Sequence, residues 1–380
     1  MSGSKVALVT CTSYDPQAVK EAVQKGLALL GGAQQFVQAG EKILIKPNLL
    51  LGESPDHCVS PHPTVFRAVL EAFQACGAQL SFGDSPGFGT TKLAARLAGL
   101  LHVADELNVP IADFQNGDTF SFPDGNLIKQ FTIASGVTEA DGLISLAKLK
   151  THALTRITGA IKNQFGCIPG ILKAEFHSRM PNVDMFSKML VDLNLYLKPR
   201  LYIMDGIMAM EGNGPRSGNP TPMHVLLFSS DPVALDAIVC RMIQLDEAMV
   251  EPIVYGNQFG LGSSQNIEVL GDPLEQFINP DFVVNREKRS TTPKADAFNN
   301  RFMRNYITPR PVITAEKCIK CGRCVEVCPA EPKALSWANG KNQTPVYDYA
   351  LCIRCYCCQE LCPHEAIHVQ APLLGRIIGR

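Results

Sequence analysis

Two cysteine runs near the C-terminus constrain this chain more than any other feature. Residues 318–329 read Cys-Ile-Lys-Cys-Gly-Arg-Cys-Val-Glu-Val-Cys-Pro, and residues 352–363 read Cys-Ile-Arg-Cys-Tyr-Cys-Cys-Gln-Glu-Leu-Cys-Pro. A shift of 34 residues superposes four cysteines and the proline. Each run is C-x2-C-x2-C-x3-C-P, a spacing that ligates iron–sulfur clusters. Three closely spaced thiolates can turn around three corners of a cubane. The fourth lies too far along to close the same one, so it ligates the other cluster. That logic assigns Cys318, Cys321, Cys324 and Cys362 to one 4Fe–4S cluster, and Cys352, Cys355, Cys358 and Cys328 to a second. Structural zinc is the competing reading, but it needs only four ligands, commonly in two separated pairs. Cys357 is an extra thiol, read as a spare neighbour rather than a ligand.

The remaining cysteines, Cys11, Cys58, Cys76, Cys167 and Cys240, are scattered singly, which is not the pattern of a disulfide scaffold. No stretch approaches the roughly 18 consecutive apolar residues of a spanning helix, and no signal-peptide core follows Met1. A cytoplasmic protein without direct membrane insertion is expected. Lys plus Arg (35) nearly balances Asp plus Glu (36), which argues against a general nucleic-acid binder. The charge is unevenly spread: residues 301–380 hold 11 basic against 6 acidic side chains. The basic stretch Arg286–Pro311 reads as a linker between an N-terminal domain (1–285) and a small C-terminal one (312–371).

The first domain alternates apolar runs with helical patterns. Val6–Cys11, Ile43–Lys46, Gln79–Gly83, Leu143–Ala147, Leu201–Met204 and Val225–Phe228 read as strands. Thr64–Cys76, Thr90–Leu101 and Val233–Leu245 read as helices, with Asp15-Pro16 and Asp231-Pro232 as helix starts. Asp124-Gly125-Asn126 signals a hairpin. The alternation implies an α/β domain with a mostly parallel sheet. Lys46, Asn48, Lys148, His152 and Lys162 fall at or just after strand ends, where such sheets place ligands, and are the candidate catalytic residues. Gly83, Asp84, Ser85, Gly87 and Gly89 form a glycine-rich loop suited to an anion. Gly83-x-Ser85-x-Gly87 matches a nucleophile elbow, but Pro86 has no N–H for the oxyanion hole. His57, His62 and His177 show no metal-ligand spacing.

The cysteine runs resemble those of two-cluster bacterial ferredoxins, which implies a small α+β domain of two related halves. The lysine-proline-asparagine turn at Lys46, the Gly83–Gly87 loop, the strand end through His152 and the Asp205–Pro215 loop resemble the Domain of Unknown Function 362 family, often joined to ferredoxin modules. That resemblance runs over most of residues 5–270 and implies no particular reaction.

Three functions follow as expectations. The chain transfers single electrons through two 4Fe–4S clusters to chemistry or a partner at the N-terminal domain. Alternatively it is a self-contained reductive enzyme acting on an anionic small molecule in a lysine-rich pocket. The third reading is a scaffold with structural clusters. The expected partner is a redox protein or a small anionic substrate.

Overall fold

The computed structural model describes residues 3–170, 172–180, 182–287, 305, 308–338 and 340–372. The chain divides into two compact units, one of residues 1–173 and 187–284, the other of residues 174–186 and 285–380. Of the expected linker, residues 288–304, 306 and 307 lie outside the described residues.

Among the described residues, the first unit contains ten strands: β1 (Lys5–Thr10), β2 (Lys42–Pro47), β3 (Gln79–Phe82), β4 (Gly117–Ser121), β5 (Gln130–Ala134), β6 (Gly142–His152), β7 (Arg156–Ile157), β8 (Leu201–Glu211), β9 (Asn219–Ser229) and β10 (Glu268–Gly271). The main sheet runs β10-β1-β9-β8-β6-β2-β3, with β7 attached to β6. Pairs β1·β10, β2·β3, β2·β6 and β6·β8 are parallel, whereas β9 is antiparallel to both neighbours. It is a mostly parallel, mixed α/β sheet. The β4·β5 hairpin stands apart as its own ribbon.

Local chemistry explains several boundaries. Asp15 accepts from the N–H groups of Gln17 and Ala18, and Pro16 opens helix Pro16–Leu29. Asp231 does the same for helix Pro232–Met242. Helix Pro63–Gln74 buries Val65, Phe66, Val69, Leu70 and Phe73 in a core shared with Val9, Ile45 and Phe82. The helix expected over Thr90–Leu101 is two, Thr91–Leu97 and Leu100–Glu106, because Gly99 between them takes a left-handed φ of 73°. The strand expected to stop at Ala147 continues to His152, with every residue from Leu143 onward buried. Its continuation therefore carries Lys148 and Lys150 inside the protein.

The second unit repeats itself. Strands β11 (Arg310–Ile313), β12 (Leu335–Ser336), β13 (Val346–Tyr347) and β14 (Ile367–Gln370) pair crosswise, β11 with β14 and β12 with β13. Lys320 and Arg354, 34 residues apart, both have φ of 62°, and Gly322 and Tyr356 are left-handed at the same offset. Left-handed residues let each loop fold back on its own thiols, a conformation costly for side chains such as Tyr356. Each turn leads into a four-residue helix, Arg323–Glu326 or Cys357–Glu360.

Candidate functional site

The crossed strand pairing brings each cysteine run's last member to the other run. Cys318, Cys321, Cys324 and Cys362 line one cavity of about 350 Å³, walled by Ile313, Ala366 and Ile367. Cys328, Cys352, Cys355 and Cys358 line another of about 300 Å³, walled by Ala330, Leu335 and Tyr347. None of the eight is joined in a disulfide. Among the described residues, no three His, Cys, Asp or Glu side chains are spaced to hold a single metal ion. Thiols spread around an apolar cavity suit a multi-iron cluster better than zinc.

Burial pushes the Cys324 thiol up to about 12, reinforced by Cys362, Cys321 and Cys318. The same cause drives Cys358 well above the ordinary thiol range. Occupancy by iron would therefore displace protons and couple to folding. Arg354 gives a second test of fit. Its side chain is 5% exposed, and Nε and Nη1 lack hydrogen-bond partners among the described residues. A buried guanidinium with unspent donors is costly alone, and an anionic cluster held by Cys352 and Cys355 would supply compensating charge. Its guanidinium and that of Arg310 cover the Tyr349 ring, 5.0 and 4.6 Å from the centroid. Tyr347 stacks on Tyr349 and donates its hydroxyl to Cys358 Sγ at 3.3 Å. The Cys357 thiol and N–H donate to Cys355, holding that thiol below its usual range.

In the first unit, the carboxyl edge of β2, β6 and β8 carries a buried polar network. Lys46 Nζ lies 2.8 Å from Asp84 Oδ1 and donates to Asn163 Oδ1 at 3.2 Å. Asn48 Nδ2 donates to that same oxygen at 3.1 Å, and Lys150 Nζ donates to Asn48 Oδ1 at 2.6 Å and Val59 O at 2.7 Å. Two residues before Lys150 on β6, Lys148 Nζ reaches Asp205 Oδ2 at 2.8 Å and Tyr14 Oη at 2.9 Å. His62 stacks on Tyr14 with ring centroids 3.7 Å apart, and its backbone N–H donates to Asp205 Oδ2. Burial lowers the His62 pKa to about 4, so the ring is neutral near pH 7. Tyr14 and His62 are only partly buried and form the reachable side of this edge.

Comparisons with known proteins divide along the same line. A model of a 4Fe-4S dicluster domain matches residues 311–366, which hold all eight cavity-lining cysteines. The model described as Domain of unknown function (DUF362) matches residues 43–241, more than half of the chain. The chain belongs to the DUF362 family. It is 35% identical over 257 residues to the thylakoid-associated protein sll1697 of Synechocystis sp., covering 67% of this chain and 79% of that protein. Among solved structures, it is similar to the lactate racemase apoprotein of Thermoanaerobacterium thermosaccharolyticum (TM-score 0.42, 12% identity), covering 64% of this chain and 57% of that one. A Thermotoga maritima protein is also similar (TM-score 0.36, 13% identity), with 56% of each chain covered.

Within the DUF362 segment, the residues expected from sequence fare differently. Lys46, Asn48 and Lys148 join the network. His152 closes the turn after its strand, Nδ1 accepting from the N–H groups of Leu154 and Thr155. Lys162 sits half-buried on helix Gly159–Asn163. Asp84 faces inward to Lys46 and accepts from Leu49 N, while Ser85 Oγ accepts from Gly170 N at 3.0 Å and Lys173 Nζ at 2.8 Å. Lys173 also donates to the carbonyls of Ser85 and Pro86. Gly83 presses on Phe114, Gly87 donates to Leu50 O, and Gly89 is left-handed at φ 82°. The loop's polar groups thus serve internal contacts.

Sequence reasoning misses Tyr14 and Lys173, whereas Asn163 belongs to the Lys162-Asn163-Gln164 segment it flags. Tyr14 and Lys173 meet their partners at separations of 134 and 88 residues, a distance no local pattern encodes. Burial lowers the Lys173 pKa to about 7. Burial pushes the Cys167 thiol up to about 12, which favours its protonated form at neutral pH. Among the histidines, His57 is exposed beside Glu53, and His177 stacks on Phe186. No helix among the described residues is long and apolar enough to cross a membrane.

Proposed function

We propose that this DUF362 protein holds two 4Fe–4S clusters and passes single electrons through them to chemistry or a partner at its N-terminal domain. The observation that carries this reading is the crossing of Cys362 and Cys328 between two separate thiol quartets, each around its own cavity. The cluster cysteines supply the thiolates, and mostly apolar side chains wall the two cavities. When bound, the clusters store and release one electron each. The partner is a redox protein or a small anionic molecule, with no role for nucleic acid or membrane insertion, and the protein works in the cytoplasm. Stepwise reduction of the anaerobic protein by a low-potential donor, followed by EPR, tests it. Two one-electron reductions support electron transfer; irons that never change oxidation state favour the scaffold reading.

A second reading, a reductive enzyme for an anionic substrate, is favoured by one observation. Lys46, Lys148 and Lys150 are all buried at the sheet's carboxyl edge, with Tyr14 and His62 at its accessible side. Cations held in such a place attract carboxylate or phosphate groups. Substituting Lys46 or Lys162 then abolishes turnover while cluster reduction persists; unchanged turnover removes these lysines from the reaction.

A further inference from the structure

Resting on the two-cluster reading, we propose that Tyr347 makes the two clusters unequal, so that the first electron settles at the Cys328, Cys352, Cys355 and Cys358 site. The internal repeat makes the comparison direct. The 34-residue shift that superposes the cysteines places Ile313 on Tyr347. The backbone agrees, because Ile313 pairs with Ile367 in one ribbon and Tyr347 with Leu335 in the other. Both side chains wall their cavities. Only Tyr347 carries a donor, and its hydroxyl points at Cys358 Sγ, 3.3 Å away.

Reduction adds one negative charge, spread over the cluster and its thiolate sulfurs. A hydrogen bond aimed at one of those sulfurs stabilises the reduced form more than the oxidised form, and the apolar wall strengthens it. A second difference acts in the same direction. Position 320 is an exposed lysine, whereas its counterpart Arg354 is buried and stacked on Tyr349. One effect opposes both: Cys321 is exposed, so water reaches the first site and also favours its reduction. A fixed donor does not have to reorient when the charge arrives, whereas water does. Tyr347 and Arg354 therefore prevail.

The test is a potentiometric titration of the full, anaerobically loaded chain, read by EPR, with a low-potential one-electron reductant. Wild type is expected to show two couples. Tyr347→Phe, which keeps the ring and removes the hydroxyl, should lower the higher couple by roughly tenfold in its reduction equilibrium, about 59 mV for one electron. The lower couple should stay in place. Movement of neither couple, of both equally, or of the lower one alone overturns the proposal. Should the Phe variant load less iron, 3-fluorotyrosine at position 347 decides. Its more acidic hydroxyl should raise the higher couple, and an unmoved couple contradicts the proposal. Wild-type protein with fewer than about eight irons per chain overturns the two-cluster reading itself, before any variant is compared.

Discussion

Lys148 Nζ sits 2.8 Å from Asp205 Oδ2, on adjacent strands at paired register, and neither side chain is more than 1% exposed. A buried pair of this kind contributes little net stability, but breaking it leaves a lone charge in the interior. Asp205→Asn should therefore destabilise the first unit by about 3–5 kcal/mol. Lys148→Met added to Asp205→Asn should recover much of that loss. Urea unfolding measures both; equal losses in the single and double variants would show that the interior does not feel the uncompensated ammonium.

Gly166 is the second sensitive point. A Cβ there would overlap Asp84 Oδ1 and fall 2.8 Å from Lys46 Nζ, while Gly166 O accepts from Ser85 N. Gly166→Ala should cost about 1–3 kcal/mol from overpacking alone, with a further loss if the ion pair separates. Thermal unfolding of the variant checks it, and an unchanged Tm would mean that the loop yields freely.

The pH dependence of stability has a specific source in Asp236, whose carboxyl is pushed up to about 7 by burial. It accepts from Ala160 N at 2.6 Å and Ile161 N at 3.2 Å. Its folded pKa lies above its unfolded value, so the folded state holds the extra proton. Its contribution is complete below about pH 4 and is lost as pH rises through about 7. His62, lowered to about 4, works oppositely: its contribution is present above its unfolded pKa and lost as pH falls through about 4. The useful quantity is therefore a difference. Subtracting the stability of Asp236→Asn from wild type across pH 4–8 should give a decline of up to one proton's slope between pH 4 and 7. A flat difference would remove Asp236 as the source.

Much of the fold was legible because its determinants are local. Asp15-Pro16 and Asp231-Pro232 mark helix starts by a cap and a ring that act within one turn. The alternation of apolar runs gave the α/β class, and cysteine spacing already grouped the thiols that line each cavity. What stayed hidden depends on distant partners. Lys148 and Lys150 looked like the end of a strand, since a charged residue reads as exposed until Asp205 and Asn48 are in place. In the Gly83–Gly89 loop, expected to suit an anion, the Asp84 and Ser85 side chains meet Lys46, Lys173 and Gly170, partners that lie far off in sequence. Residues 174–186 interrupt the first unit's sequence and pack with the second, with Ser178 donating to Pro329 O. Nothing in their composition announces that exchange.

Cys357 and Cys328 should separate cleanly by substitution. Cys357 lines neither cavity, whereas Cys328 lines the second. Cys357→Ala is expected to retain about eight irons per chain, while Cys328→Ala loses about four, following the crossed ligation of such runs. Iron loss from Cys357→Ala would instead make it a ligand.

The most direct measurement is iron, acid-labile sulfide and zinc content of the anaerobically purified full chain, with EPR of its reduced form. About eight irons and eight sulfides per chain are expected, with signals from two interacting clusters. Zinc in place of iron, without labile sulfide, would contradict it.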